Sequence, residues 1–222
     1  NVNGSGIEID LTDNIIFSGT LTLTNGIIST GNNYVRINDG GTISGGSPSS
    51  YINGKLEIFF NGNDFKSFKI GSSTAYRPVL ILLAGLSTGS GFVSVKQIDE
   101  APGGTISAPN INSISSVRFF DLSKDASLTP TTTTVGISWG DDDGVSEMND
   151  LAVVFGTNGN NWSSMDQSSV SGTNSSGEVQ GRDGLPGPSG GDAVAVSPRR
   201  RRGAAQGVRA PPPRRGGSRP CG

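Results

Sequence analysis

Between residues 7 and 60, apolar positions recur every second residue in short runs. Leu21/Leu23, Val35/Ile37 and Leu56/Ile58/Phe60 are the clearest, with Ile27/Ile28, Ile43 and Ile52 between them. A period of two describes a strand with one buried face, and no stretch here holds the 3.6-residue stripe of a helix. The runs are punctuated by Asn25-Gly26, Gly31-Asn32-Asn33, Asp39-Gly40-Gly41, Gly45-Gly46 and Asn53-Gly54. These residue types tolerate the positive φ of tight corners. Runs 7–11, 15–17, 20–24, 27–30, 34–38 and 42–44 are three to five residues each, too brief for a sandwich and suited to the faces of a solenoid. The segment TLTLTNGIIST followed by VRINDGGTISGG is a weak internal repeat that favours a short parallel β-solenoid over residues 1–54. An antiparallel meander with the same turns is the alternative, because a pattern of faces does not fix strand direction.

From Lys55 the apolar runs lengthen. The predicted strands are 55–60, 65–70, 78–84, 92–98, 117–123, 132–139, 151–155, 161–165 and 175–179. Turn-rich connections at this spacing predict an antiparallel β-sandwich over residues 55–179. PVLILLA (78–84) is apolar at every position, as a central strand covered on both faces would be, and Pro78 stands at its start, where a strand tolerates proline. The fold class is therefore all-β: a solenoid leading into a sandwich. A sandwich left unfinished would expose an edge strand open to self-association.

Composition changes at about Gln180. Residues 180–222 contain no aromatic residue and 7 of the 12 prolines. Such a segment has little to bury against the entropy of ordering and is expected to be a disordered Arg/Pro/Gly-rich tail. Charge divides at the same place. Residues 1–178 carry 8 Lys/Arg against 17 Asp/Glu, a net of −9, and residues 179–222 carry 9 Arg against 2 Asp, a net of +7. The abrupt shift is what a shifted reading frame or a fused unrelated sequence would produce. A basic arm for nucleic acid is the functional alternative, though it lacks interleaved aromatics for base stacking. The acidic body argues against nucleic acid as partner of the folded part.

The chemistry on offer is narrow. With no histidine, Ser-His-Asp and Cys-His nucleophile pairs, His-bound zinc and imidazole acid–base steps are excluded. The single cysteine, Cys221, allows no internal disulfide. The longest apolar run falls well short of the ~18–20 residues of a membrane-spanning helix. No secretory leader is visible, and a chain beginning at Asn1 reads as processed or as part of a longer reading frame. Gly85-Leu86-Ser87-Thr88-Gly89 matches the nucleophile-elbow spacing, but it leads into another strand instead of a helix and has no base to serve it. It is expected to be a hairpin loop. Asp141, Asp142 and Asp143 form the one acidic run, a candidate calcium site and the only cofactor the residues suggest. Their consecutive placement points the carboxylates in different directions, which also suits a solvated loop. Trp162, after the turn at 158–161, is the better candidate for stacking a sugar ring, although core or edge packing is the favoured reading of it, and Trp139 alternates with Val135 and Ile137 and reads as core.

These residues together carry a resemblance. Residues 15–179 resemble a solenoid-plus-sandwich region of large bacterial surface proteins exported by the type IX secretion system. The tract Gly45-Gly46-Ser47-Pro48-Ser49-Ser50-Tyr51-Ile52-Asn53-Gly54, the step Tyr76-Arg77-Pro78, the strand VRFFDLS and the segment DLAVVFGTNGNNW carry it. The resemblance implies an extracellular or outer-surface location and partners such as surface glycans or other extracellular proteins. It implies no catalytic motif. Such proteins usually close with a C-terminal sorting domain, which this sequence does not show. The expected function is a non-catalytic structural or adhesive module, with a carbohydrate-binding domain as the alternative.

Overall fold

A computed structural model describes residues 2–86, 89–107, 109–157, 161–183 and 192–198. They form seventeen strands and two single turns of 3-10 helix. The first strands are β1 (Val2–Asp10), β2 (Ile15–Phe17), β3 (Thr20–Ile37), β4 (Thr42–Gly45), β5 (Ile52–Asn61), β6 (Asp64–Phe68) and β7 (Ile70–Gly71). There follow β8 (Val79–Ala84), β9 (Ser90–Ile98), β10 (Thr105–Ile106), β11 (Phe119–Lys124) and β12 (Thr132–Trp139). The last are β13 (Leu151–Thr157), β14 (Asn161–Ser164), β15 (Asp166–Gly172), β16 (Gly177–Asp183) and β17 (Asp192–Pro198). Among the described residues no helix is long and apolar enough to cross a membrane.

The strands of the coils run parallel, as the repeat favoured. β1, β2 and β4 pair parallel with β3, and β3 pairs parallel with β5, giving a solenoid of about three turns. Each coil places like residues over like. Ile9, Ile28, Ile52 and Ile70 form one inward column, and Phe17, Ile37 and Ile58 another. Ile28, Ile52 and Ile70 are 0–3% exposed, whereas Ile9 in the first coil is 40% exposed. Polar side chains stack outside: Thr20 on Thr42, Ser44 on Thr22, and Asn53 on Ser29. Gly54 shows why the corners are glycine. It has φ of 131°, and a Cβ there would drive into Thr30, whose buried hydroxyl accepts the Lys55 N–H at 3.0 Å.

The solenoid passes into the sandwich inside β5, with no linker near residue 54. One edge of β5 pairs parallel with β3, and the other pairs antiparallel with β9, Leu56 opposite Val95 and Phe60 opposite Gly91. The large sheet continues in the order β9-β11-β17-β13-β14-β10. A five-stranded sheet, β15-β16-β12-β8-β6, packs over it. Phe60, Val95, Phe120, Val153 and Val194 from the large sheet meet Phe68, Ile81, Leu83, Val135, Ile137 and Trp139 from the small one in a single core. Each such side chain contributes about 1.5–3 kcal/mol by leaving water.

Three expectations need correction. First, β17 lies inside the stretch expected to be disordered, and it fills the space between β11 and β13, antiparallel to both. The segment DAVAVSP alternates as a strand should. Val194 faces the core between the sheets, and Ala193 and Ala195 pack on the opposite face. Gln180, Gly181 and Arg182 also belong to a strand, β16, while residues 199–222 lie outside the described residues. Second, 85–89 is no hairpin. β8 belongs to the small sheet and β9 to the large one, so the connection crosses between layers, with Ser87 and Thr88 outside the described residues. Third, PVLILLA is covered on one face only, and Leu82 on the other is 38% exposed. The segment DLAVVFGTNGNNW does form a hairpin, β13 with β14.

Candidate functional site

The acidic turn 140–144 leaves β12 at one end of the sandwich. Asp141–Asp143 form one 3-10 turn, closed by Gly144 in the left-handed region at φ 64°. The Asp143 carboxylate folds back to accept the Gly140 N–H at 2.8 Å. This fixes Asp143 inward and leaves Asp141 exposed, while Asp142 and Asp143 converge on one arginine.

Two arginines hold the turn. Arg118, from the approach to β11, donates Nε–H to Asp143 Oδ1 at 2.9 Å and also pairs with Asp142 Oδ2. Arg77, just before β8, donates from Nη2 to Asp142 Oδ1 at 2.7 Å. The Arg118 and Asp143 side chains are 4% and 2% exposed. A guanidinium matches a carboxylate in shape and delivers several N–H donors, so it occupies the oxygens that a hard cation would need. Among the described residues no group of three or more His, Cys, Asp or Glu side chains is arranged to hold a metal.

The network reaches the neighbouring strands. Arg118 Nη1 lies 4.0 Å from Asp99 Oδ1 at the end of β9. Asp99 accepts hydrogen bonds from Thr74 Oγ1 at 2.7 Å and Gln97 Nε2 at 2.8 Å. Burial works against ionisation of Asp99, but hydrogen bonds from Ser72, Gln97 and Thr74 and the charge of Arg118 outweigh it and hold its pKa below the ordinary value. Tyr51 of the solenoid donates its hydroxyl to the Ser72 carbonyl at 2.7 Å, and its ring packs 5.7 Å from that of Tyr76. Solenoid, both sheets and the acidic turn are thus tied together at this end.

Beside the network opens a cleft of about 650 Å³. One wall is residues 112–116, the other residues 143–147 with Asp150 and Leu151, and Val196 of β17 closes it. Four serines and an asparagine share the lining with Asp143, Glu147 and Asp150, over an apolar base that includes Ile114, Val145 and Leu151. Hydroxyls and carboxylates beside a few aliphatic groups suit a hydroxyl-rich ligand, which both gives and takes hydrogen bonds.

Trp162 is elsewhere and offers no face to a sugar. It is fully buried, its indole N–H donates to the Gly103 carbonyl at 2.7 Å, and its ring lies over Gly156 on the facing strand. A Cβ on Gly156 would stand 2.9 Å from that ring, which is why glycine occurs there. With Ile111, Ala152, Val154, Ala193 and Ala195 it makes a second core, covered by the segment between β9 and β11. Trp139 is core, as expected.

Sequence reasoning singled out the aspartates and missed their partners. The body carries only 8 basic residues, and Arg77 and Arg118 each abut an apolar strand. A cation beside a buried run needs an anion, and that was the available signal. Comparison with protein-family models, curated proteins and solved structures finds no match to this chain.

Proposed function

We propose that this chain is a non-catalytic structural or adhesive module of a bacterial protein that is secreted or displayed on the cell surface. The observation that carries the reading is β5, a single strand that belongs to both the solenoid and the sandwich. It makes the two parts one continuous sheet, the property wanted of a stiff spacer. The Thr, Ser and Asn side chains stacked along the coils give that spacer a polar exterior. An antibody to the chain, applied to fractions of the bacterium that makes it, tests the location. Recovery from the medium or the outer surface is expected, and recovery from the cytoplasm alone overturns the reading.

The cleft supports a second reading, carbohydrate binding, because its lining is rich in serine hydroxyls and carboxylates. A glycan screen on the intact chain is the test. Binding lost in Ser146→Trp, which fills the mouth of the cleft, supports it, and binding unchanged by that substitution rejects it.

A further inference from the structure

β6 is an edge strand of the small sheet, paired with β8 on one side only. It also carries an exposed aromatic side chain. Phe65 is 54% exposed, and its neighbour across the pair, Leu82, is 38% exposed on the same outer face. The Phe65 N–H donates to its neighbour's carboxylate, Asp64 Oδ1, at 2.7 Å. Its amide therefore points away from β8, toward the free edge, as antiparallel alternation requires. Lys66 Nζ closes a salt bridge to Asp64 Oδ2 at 2.7 Å. Beside this strand a groove of about 280 Å³ is lined by Phe65, Lys66 and Ser67 together with Ile37, Ile43 and Ile58 of the solenoid.

We propose that β6 pairs with β6 of a second copy of this chain, antiparallel about a two-fold axis at Phe65. The sequence Asp64-Phe65-Lys66 is self-complementary in that register and in no neighbouring one. Antiparallel pairing about Phe65 sets each Asp64 directly opposite the other copy's Lys66, with both side chains on the same face. Shifting the axis to Lys66 would oppose two ammonium groups. At the axis the two Phe65 residues exchange N–H and C=O, and Asp64 releases its neighbour's amide as it takes the other copy's ammonium. On the outer face Leu82, Phe65 and their two symmetry mates then form one unbroken apolar row. Two five-stranded sheets become one of ten strands, and the contact closes as a dimer without running on into fibres. Exposed apolar edges that are not paired or blunted are otherwise a hazard.

Sedimentation of the intact chain over a wide concentration range tests this. A reversible dimer is expected, and a monomer throughout overturns the proposal. Lys66→Asp, which opposes carboxylates, should weaken the dimer by at least about tenfold, and the double substitution Asp64→Lys with Lys66→Asp should restore it. A dimer indifferent to the single change, or not restored by the double one, also overturns it. In a Cys221→Ser background, Phe65→Cys should give a disulfide-linked dimer on oxidation. Its absence would mean that the two-fold axis is not at Phe65, even if a variant at Lys66 proved unstable.

Discussion

Arg118 is a cation with almost no access to water, held between Asp142, Asp143 and Asp99. A pair so enclosed gains little over apolar packing, yet removing one member strands the other. Arg118→Ala takes from the buried Asp143 carboxylate its nearest cation, leaving it the Gly140 N–H and, 3.9 Å away, Arg77 Nε. Unfolding by urea should show a loss of about 3–5 kcal/mol, whereas Asp141→Ala, on the exposed side of the same turn, should change stability by less than about 0.5 kcal/mol. Asp192 is the opposite case. Burial raises its pKa to about 6, with Lys124 pulling it down and Asp121 pushing it up again. The folded chain therefore holds a proton between about pH 4 and 6 that the unfolded chain releases, and stability falls as pH rises through that window. Asp192→Asn should flatten that slope, leaving the part due to Asp121, whose pKa burial also raises, and stabilise the protein at neutral pH by about 1–2 kcal/mol. Melting temperatures across the pH range will show both effects.

At the scale of elements, legibility followed the alternation. The strands of the coils and of 132–139 and 151–155 were visible because buried and exposed positions alternate within a few residues. Strand direction was favoured only by the weak repeat, since it depends on partners roughly twenty residues away, such as Ile15 beside Val35. β17 was hidden by its surroundings. The window of arginine, proline and glycine masked seven residues that alternate correctly. The acidic turn was found and its arginine partners were not, because Arg77 and Arg118 stand 65 and 24 residues from Asp142. Trp162 was weighed as a sugar platform for a related reason. Its cover comes from residues before β11, which carry no regular pattern of their own. That cover is held by few groups, so Trp162→Ala should destabilise the protein by about 3–5 kcal/mol. It should also speed amide exchange in residues 103–116 more than in the solenoid coils, as hydrogen-exchange mass spectrometry can resolve.

For the whole molecule, composition gave the class. Short strands and many turns do make an all-β chain, and the break expected after residue 54 falls inside β5, three residues from its start. The sheet leaves no seam at which the parts separate. Heating should therefore melt the solenoid and the sandwich together, with tyrosine and tryptophan signals losing structure at one midpoint. Two midpoints would show that β5 joins them in geometry without joining them in energy.

The place of β17 has a consequence in time. It is the last described strand in the sequence, yet it lies in the interior of the large sheet. A chain emerging from its N-terminus can close the coils early, because their partners follow one another closely. The sandwich must wait. Until Val194 and its neighbours arrive, β11 and β13 present two unpaired edges to each other across a gap one strand wide, and the second core has no floor. The sandwich is thus finished from the middle, and its most vulnerable moment comes just before β17 is made.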